Sequence, residues 1–353
     1  MTRPTQALIR LQSIRDNYAL AKQHSEKAFA VIKADAYGHG VIAIANALAD
    51  ADGFAVACVD EALKLRDAGH DNELLVLEGG YDLQEWQSAV EHNLIMVLHH
   101  PNQIEQIKAC PCHENLRLWL KLDTGMNRIG FRAEQYQQCL QQLAELALAP
   151  ETIMTHFACA DEQSSQMTEQ QWHVFQQCVT AGATSLRNSA GILNWPTIKD
   201  QVSRPGIMLY GGNPNGFEAG DNHNLKAAMT LQSELIAVRP VKAGESVGYG
   251  QRWVAQQDTL IGTVAIGYGD GYPRQAPSGT PVWIEGKRYP LAGRVSMDML
   301  AVDLGPDSEL TVGTTVELWG EHINADEIAK LCDTISYELF CQLTPRVPRR
   351  YLD

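Results

Sequence analysis

The sequence predicts an α/β protein: an N-terminal (β/α)8 TIM barrel over residues 1–226, followed by a mostly antiparallel β-domain over residues 227–353. The first observation is that short apolar runs alternate eight times with segments of helical periodicity, over about 210 residues. The second is a change from about Ala227, where apolar and polar residues alternate and glycines recur at short intervals. A doubly wound open sheet is the alternative for the first part. The residues up to about position 10 are a candidate additional strand of the β-domain.

The candidate barrel strands are apolar runs of strand length. They are Phe29–Lys33, Gly53–Ala57, Glu73–Leu77, Asn93–Leu98, Leu116–Leu122, Thr152–His156, Ala183–Asn188 and Gly206–Tyr210. The segments between them carry apolar residues at helical spacing and include Asp60–Ala68, Leu83–Glu91, Ala133–Leu148 and Thr168–Ala181. The last repeat is less regular, because Gly191–Asp200 contains Pro196 and therefore predicts only a short helix.

The first strand delivers a lysine to its carboxyl end. Lys33 has apolar neighbours on its N-terminal side, and these should lower its pKa and favour a neutral, nucleophilic amine. The alternative is a surface lysine whose stem covers apolar residues. A barrel favours the reactive interpretation, because catalytic residues in this fold lie where the strands end.

Other predicted strand ends also carry polar chemistry. They hold Lys121 with Asp123, His156, Asn188 with Ser189, and Arg204 with Tyr210. The alternative is that strand ends face water and are polar for that reason. The seventh and eighth repeats supply a hydroxyl and glycine-flanked backbone N–H groups, as a phosphate site in this fold does. Together with an isolated lysine, this favours pyridoxal phosphate as the ligand.

The last third contains two clusters that could carry chemistry. Ile266–Arg274 places two tyrosines among glycines, and Gly293–Asp298 is the second cluster. The alternative for the first is a β-turn with packed rings. A short helix is expected over Ala325–Leu331.

Composition narrows the classes of partner. The formal charge of −14 argues against a nucleic-acid or anionic-membrane partner, so we expect small molecules and copies of the same chain. No uncharged stretch approaches the ~20 residues of a transmembrane helix, and the first residues lack the apolar core of a signal peptide, so we expect a cytoplasmic protein. The eight cysteines include only the Cys110-Pro-Cys112 pair and are expected to be reduced thiols. We expect no metal site, and interpret His99 and His100 as a strand-end turn.

Several sequence blocks are more specific than these patterns. They are Val31–Gly40, Lys121–Gly130, Thr155–Asp161, Asn188–Ala190, Arg204–Gly211, Gly267–Tyr272 and Gly293–Asp298. In this order and with these residues, the chain closely resembles the alanine racemases, pyridoxal-phosphate enzymes of fold type III. The resemblance covers essentially the whole chain and implies interconversion of L- and D-alanine, either to supply D-alanine for peptidoglycan precursors or to break it down.

The resemblance implies a role for individual residues. Lys33 is implied to attach pyridoxal 5'-phosphate and to serve as one base, and Tyr268 from the partner subunit of a homodimer is implied to be the other. The other cofactor-binding residues implied are Tyr37, His156, Asn188, Ser189, Arg204, Gly206 and Ile207. Arg128 and the backbone of Met297 are implied to bind the substrate carboxylate. Supporting residues are Lys121, which is carbamylated in many members, and Asp298, Asp161, Arg294 and Tyr272.

One departure and two rival functions remain. Pro345 stands where some members carry a tyrosine that supports the catalytic tyrosine, so the orientation of Tyr268 must come from elsewhere. A barrel amino-acid decarboxylase shares the cofactor and the two-domain plan, but such enzymes resemble one another in an acidic partner for the pyridine nitrogen, where this chain offers Arg204. A non-catalytic pyridoxal-phosphate-binding protein is the third interpretation, and it has no need of a second base.

Overall fold

The computed structural model describes residues 3–217 and 223–353, which form two compact units. The barrel unit comprises residues 15–36 and 41–209. The second unit, here called the β-unit, comprises residues up to 14, residues 37–40 and residues from 210 onward. Among the described residues, no helix has the length and apolar character needed to cross a membrane.

The barrel unit is built on eight parallel strands. Counting β1 (Gln6–Arg10) of the β-unit first, the barrel strands are β2 (Lys27–Val31), β3 (Gly53–Val56), β4 (Leu74–Val76), β5 (Ile95–Leu98), β6 (Arg117–Lys121), β7 (Thr152–Met154), β8 (Ala183–Ser185) and β9 (Val202–Ser203). Their order is β8-β7-β6-β5-β4-β3-β2-β9, with every pairing parallel. Strands β3, β4 and β5 are buried along their whole length, as expected for a parallel sheet covered on both faces. The predicted barrel is therefore confirmed.

Helices separate these strands. They are α1 (Leu11–Gln23), α2 (Lys33–Gly38), α3 (Val41–Ala47), α4 (Val59–Asp67), α5 (Leu83–Glu91), α6 (Pro101–Ala109), α7 (Ala133–Glu145), α8 (Met167–Cys178) and α9 (Ser189–Asn194). In α7 the buried side chains are Tyr136, Cys139 and Leu143, at the three- and four-residue spacing of one helix face. The Asp82 side chain caps α5 by accepting a hydrogen bond from the Glu85 N–H.

The eighth predicted strand was wrong. The strand is β9, and Ile207–Tyr210 is a turn of 3-10 helix. Pro205 has no N–H to give to a strand ladder, and the N–H groups of Gly206 and Met208 donate to the Ser189 hydroxyl instead. Gly206–Tyr210 has the length and apolar character of a strand, and periodicity alone does not separate such a short run from a buried helical turn. Ile207–Tyr210 is indeed buried, but as a helical turn.

The β-unit is mostly antiparallel, as predicted. Its further strands are β10 (Met229–Val241), β11 (Ser246–Val247), β12 (Trp253–Val254), β13 (Thr259–Val264), β14 (Pro281–Ile284), β15 (Lys287–Pro290), β16 (Leu300–Gly305), β17 (Thr315–Trp319) and β18 (Arg349–Leu352). The main sheet runs β15-β14-β17-β10-β1-β18, and β13 pairs with β10 and β16. Burial alternates along β14 and β16, the pattern of a sheet with one covered face. Two helices, α10 (Ala325–Leu331) and α11 (Ser336–Cys341), follow β17.

The segment after β2 is a left-handed turn. In α2 the residues Ala34, Asp35, Ala36 and Tyr37 have φ values of 52–54°. The turn is closed by a hydrogen bond from Ala36 N–H to Ile32 O and held by two side chains: Glu61 accepts from Ala34 N–H, and Asp35 accepts from Val41 N–H. Lys33 is therefore the first residue of a left-handed turn, two residues beyond the strand that was predicted to contain it.

Candidate active site

The barrel unit gathers basic groups beyond the carboxyl ends of its strands. Lys33 follows β2, Lys121 is the last residue of β6, His156 follows β7 and Arg204 follows β9. The charges of Lys33, Arg128 and Arg204 all act on Lys121 and on His156, so these groups share one electrostatic environment. A cluster of cations at this end of a parallel barrel is suited to bind an anion.

Arg204 is the most deeply fixed of these groups. Its side chain is buried, one terminal nitrogen donates to the Ser185 hydroxyl, and the other donates to Thr155 O at 2.6 Å. Burial lowers the pKa of Arg204 to about 10, and the charge of Asp200 opposes this shift. Arg204 therefore remains a cation at neutral pH and has no freedom to turn away.

Lys121 and His156 are both pushed toward their neutral forms. Burial, followed by the charges of Arg204, Arg128 and Lys33, lowers the pKa of Lys121 to about 7, with Asp123 opposing. Burial and the same cationic surroundings hold the pKa of His156 well below its ordinary value. At neutral pH His156 is thus an uncharged imidazole, and Lys121 is neutral in a large fraction of molecules.

Ser189 presents a hydroxyl whose hydrogen is available to a ligand. Its oxygen accepts hydrogen bonds from Gly206 N–H at 2.9 Å and Met208 N–H at 3.3 Å, which uses both lone pairs. Asn188 lies beside it and caps α9 by accepting from Gly191 N–H at 2.9 Å. Ile207, between the two N–H donors, is completely buried.

A buried ion pair next to the Asn188–Ser189 segment was not predicted from the sequence. The guanidinium of Arg187 and the carboxylate of Asp200 are 2.7 Å apart, and both side chains are almost fully buried. Asp200 also accepts from Leu186 N–H and Arg187 N–H at 2.8 and 2.9 Å, which fixes the chain just before Asn188. Arg187 and Asp200 are 13 residues apart and belong to no recognised motif, so nothing in the sequence predicts that they pair.

The loop after β6 is shaped by Asp123. Its carboxylate accepts from Gly125 N–H at 3.0 Å and Asn127 N–H at 3.1 Å, and Arg128 follows as an exposed side chain. Gln171, also missed from the sequence, is completely buried and donates to His156 O at 3.0 Å and to the Thr124 hydroxyl. It therefore links the Arg128 loop to the strand end that carries His156. Asp161 lies exposed in the turns before α8.

The β-unit holds the remaining predicted site residues. Tyr268 begins a 3-10 turn, its side chain is 38% exposed, and the Arg274 guanidinium lies 6.0 Å from its ring centroid. Its N–H donates to Ser296 O at 3.0 Å, and Gly269 N–H donates to Met297 O at 2.8 Å. Met297 is 53% exposed, so Tyr268 and Met297 form part of one accessible surface.

The other predicted residues of the β-unit differ in exposure. The exposed Asp298 binds Arg346 at 2.6 Å, and Arg294 is half-buried. Tyr272 is buried with its ring 5.9 Å from that of Trp319, so its hydroxyl is not accessible. Tyr37 is also buried, its ring 4.7 Å from that of Tyr210, and burial raises its pKa. Within the described residues, no group of three or more His, Cys, Asp or Glu side chains is arranged to hold a metal ion.

Comparison with known proteins identifies relatives over the full length. Residues 9–214 match the family model described as the N-terminal domain of alanine racemase, and residues 228–351 match the model of its C-terminal domain. An alanine racemase of Pseudomonas taetrolens is 50% identical, and a catabolic alanine racemase of Pseudomonas putida is 49% identical, each over 99% of both chains. Among solved structures, a biosynthetic alanine racemase from Pseudomonas aeruginosa matches with a TM-score of 0.95 and 45% identity, covering both chains completely. The enzyme of Acinetobacter baumannii matches with a TM-score of 0.93 and 38% identity, over 99% of this chain and all of that one.

Proposed function

Because the chain belongs to the alanine racemase family, and is therefore an isomerase, we propose that it interconverts L- and D-alanine with pyridoxal 5'-phosphate and two bases. The observation that carries this proposal is the set of groups at the barrel mouth: a lysine after β2, a neutral histidine and a buried arginine cation. Tyr268, exposed in the β-unit, supplies the second base in this proposal.

The residues at the barrel mouth fit pyridoxal phosphate. The Ser189 hydroxyl, with its oxygen already satisfied, has its hydrogen left to donate to a phosphate oxygen. The surrounding cations favour a phosphate dianion, and Lys33 is the amine that would attach the cofactor. When bound, the cofactor withdraws electrons from the substrate Cα and makes its hydrogen acidic.

Arg204 determines which reaction is favoured. With a pKa of about 10 it keeps its proton at neutral pH, so facing the pyridine nitrogen it would donate a hydrogen bond and leave that nitrogen unprotonated. The electron-withdrawing power of the cofactor is then moderate, which suppresses decarboxylation and transamination relative to simple proton transfer. An acidic residue at this position would have the opposite effect.

Two bases are required because racemisation removes the Cα hydrogen from one face and returns a proton to the other. We assign one face to Lys33 and the other to Tyr268 of the partner subunit. A free tyrosine has a pKa near 10 and needs a neighbour to act as a base at neutral pH. The uncharged imidazole of His156 can accept a hydrogen bond from the phenol, which helps the phenolic proton to leave.

The substrate carboxylate is assigned to Arg128 and the N–H of Met297. The Arg128 loop is preorganised by the two backbone hydrogen bonds to Asp123. The segment that carries Met297 is likewise fixed by the hydrogen bond between its carbonyl and Gly269 N–H. Both contacts would orient the Cα–H bond of alanine perpendicular to the cofactor plane.

The direct test is incubation with pyridoxal phosphate and a panel of L-amino acids, followed by chiral chromatography. We expect D-alanine to accumulate until both enantiomers are equal, because they have the same free energy. Unchanged L-alanine, or its conversion to ethylamine, would contradict the proposal. In Lys33→Ala we expect no borohydride-trapped cofactor and no activity, whereas Lys27→Ala, at the exposed opposite end of β2, should retain both.

A further inference from the structure

A completely buried carboxylate holds the loop that carries Tyr268. This tyrosine loop, Gly267–Gly271, contains Asp270, which is 0% exposed. One Asp270 oxygen accepts from Gly267 N–H at 3.0 Å, so the carboxylate closes the loop on itself. The other oxygen lies 2.7 Å from a guanidinium nitrogen of Arg3 and 3.3 Å from Nε of Arg346.

Arg3 and Arg346 connect the tyrosine loop to the segment that contains Met297 and Asp298. Besides Asp270, Arg3 donates to Ala265 O and to Asp298 O, each at 2.8 Å. One side chain therefore joins two residues that flank Tyr268, Ala265 and Asp270, to Asp298, which follows Met297. Arg346 binds the carboxylate of Asp298 at 2.6 Å as well. The two guanidiniums thus bridge the tyrosine loop and the Met297 segment.

The backbone of the loop is packed against the Met297 segment, most tightly at Gly267. A Cβ atom on Gly267 would lie 2.2 Å from Ser296 O, and one on Gly269 would lie 2.5 Å from a nitrogen of Arg346. Thr344 adds two hydrogen bonds, from its N–H to Asp270 O and from its hydroxyl to Gly269 O. Pro345 has no hydrogen-bonding side chain, and the polar contacts with the tyrosine loop come from its two neighbours, Thr344 and Arg346.

Charge pairing explains why this conformation is enforced. A buried carboxylate is strongly destabilised without compensating partners, and here the partners come from residues 267 positions earlier and 76 positions later. In the conformation in which Asp270 reaches both guanidiniums, the Tyr268 side chain is 38% exposed and therefore accessible. Asp270 is two residues after Tyr268 in the same closed loop, so the ion cluster fixes the backbone that carries the tyrosine.

We propose that Asp270, together with Arg3 and Arg346, is a positioning residue that fixes Tyr268 in the orientation needed for proton transfer. The inference rests on the proposed role of Tyr268 as a base. None of the three side chains is assigned a contact with substrate or cofactor, and each acts only through the tyrosine loop.

The test is exchange of the alanine Cα hydrogen with deuterated water, followed by NMR for each enantiomer separately. In Asp270→Asn, which keeps the shape and removes the charge, we expect L-alanine exchange through Tyr268 to fall on the order of tenfold to hundredfold, as for a misplaced catalytic group. Exchange of D-alanine through Lys33 should stay near the wild-type rate. A merely structural role would lower both rates together, in proportion to the folded fraction.

Two further variants keep the test decisive if Asp270→Asn fails to fold. Arg346 is partly exposed, and we expect Arg346→Met to show the same one-sided loss and Arg346→Lys to recover part of it. Asp303→Asn is the matched control, because Asp303 accepts similar hydrogen bonds on β16 outside the tyrosine loop; both rates should remain unchanged. Wild-type L-alanine exchange in Asp270→Asn or Arg346→Met, alongside a one-sided loss in Tyr268→Phe, would overturn this inference alone. Normal L-alanine exchange in Tyr268→Phe would instead overturn the proposed function, and this inference with it.

Discussion

At the scale of single residues, the acid–base state of Lys121 links the electrostatics of the barrel mouth to a chemical modification. With a pKa of about 7, lowered first by burial and then by Arg204, Arg128 and Lys33, its amine is largely neutral above neutral pH. A neutral amine can attack CO2, forming an N–C bond and releasing a proton to solvent. The resulting carbamate would place a negative charge among the cations and offset their mutual repulsion, so we propose that Lys121 is carbamylated.

NMR with ¹³C-labelled bicarbonate tests whether Lys121 is carbamylated. With ¹³C-bicarbonate we expect a carbamate carbon resonance that grows from roughly pH 6 to pH 8, because deprotonation of Lys121 must precede the reaction. The resonance should vanish in Lys121→Met and persist in Lys199→Met, a variant of an exposed lysine in the same unit. A resonance that survives in Lys121→Met would show that another amine is modified.

The candidate site residues at strand ends could be predicted from the sequence. The buried residues that hold them in place through hydrogen bonds could not. Lys121 and His156 follow apolar runs, so the rule that catalytic groups lie at barrel strand ends located them. Gln171 and Asp200 act through hydrogen bonds to backbone that is 13 or more residues away. Such pairings depend on how the chain folds back and leave no local pattern, so only the structure identifies them.

At the scale of elements, the left-handed turn α2 stores conformational strain next to Lys33. Each non-glycine residue in this conformation costs roughly 1–2 kcal/mol, because Cβ approaches the following carbonyl oxygen. Two hydrogen bonds compensate for part of that cost: Glu61 accepts from the Ala34 N–H within the turn, and Asp35 accepts from the N–H of Val41, which begins α3. Sequence patterns did not predict the turn, since Ala-Asp-Ala-Tyr carries no glycine signal and tertiary contacts override local preference.

Replacement of Ala34 by glycine measures this strain. Ala34 is exposed at φ 52°, so we expect Ala34→Gly to stabilise the protein by up to about 1 kcal/mol through relief of the left-handed conformation. The matched control is Ala19→Gly at an exposed position inside the regular helix α1, which should destabilise by roughly 0.5–1 kcal/mol. The free energies of unfolding come from urea titrations. Equal destabilisation by the two changes would mean that the turn is not strained.

Comparison of the predicted and observed barrel strands shows where hydrophobic periodicity fails to identify secondary structure. Seven of the eight predicted strands overlap observed ones, because a run of buried apolar residues of strand length is specific when helices flank it. The eighth failed at Pro205, where the missing N–H and the Ser189 hydroxyl convert an apolar run into a 3-10 turn. That turn brings Gly206 and Met208 to Ser189, so the error fell within the proposed phosphate site.

At the scale of the whole molecule, an acidic protein carries a local cluster of positive charges. The chain carries a formal charge of −14, yet the barrel mouth concentrates Lys33, Lys121, Arg128 and Arg204. A local positive field in an acidic protein draws small anions such as a phosphate ester or an amino-acid carboxylate to one place. The negative net charge of −14 disfavours binding of large polyanions elsewhere on the surface.

We propose a homodimer in which Lys33 of one chain works with Tyr268 of the other, and hybrid dimers test the arrangement. Co-expressed Lys33→Ala and Tyr268→Phe chains with different tags give a purified hybrid in which one site is intact and the other has both changes. We expect about half the wild-type activity, because one of the two equivalent sites keeps both bases and the other has lost both. A hybrid no more active than its parents would place both bases within one chain.

In the proposed mechanism two different bases serve the two faces of the substrate, and exchange of the Cα hydrogen in deuterated water distinguishes them. Racemisation rates cannot separate the bases, because equal free energies of the enantiomers force kcat/KM to be equal in both directions even in a variant. For Tyr268→Phe we predict that D-alanine still exchanges its Cα hydrogen through Lys33, while exchange of L-alanine is nearly lost. Equal loss for both enantiomers would contradict the assignment.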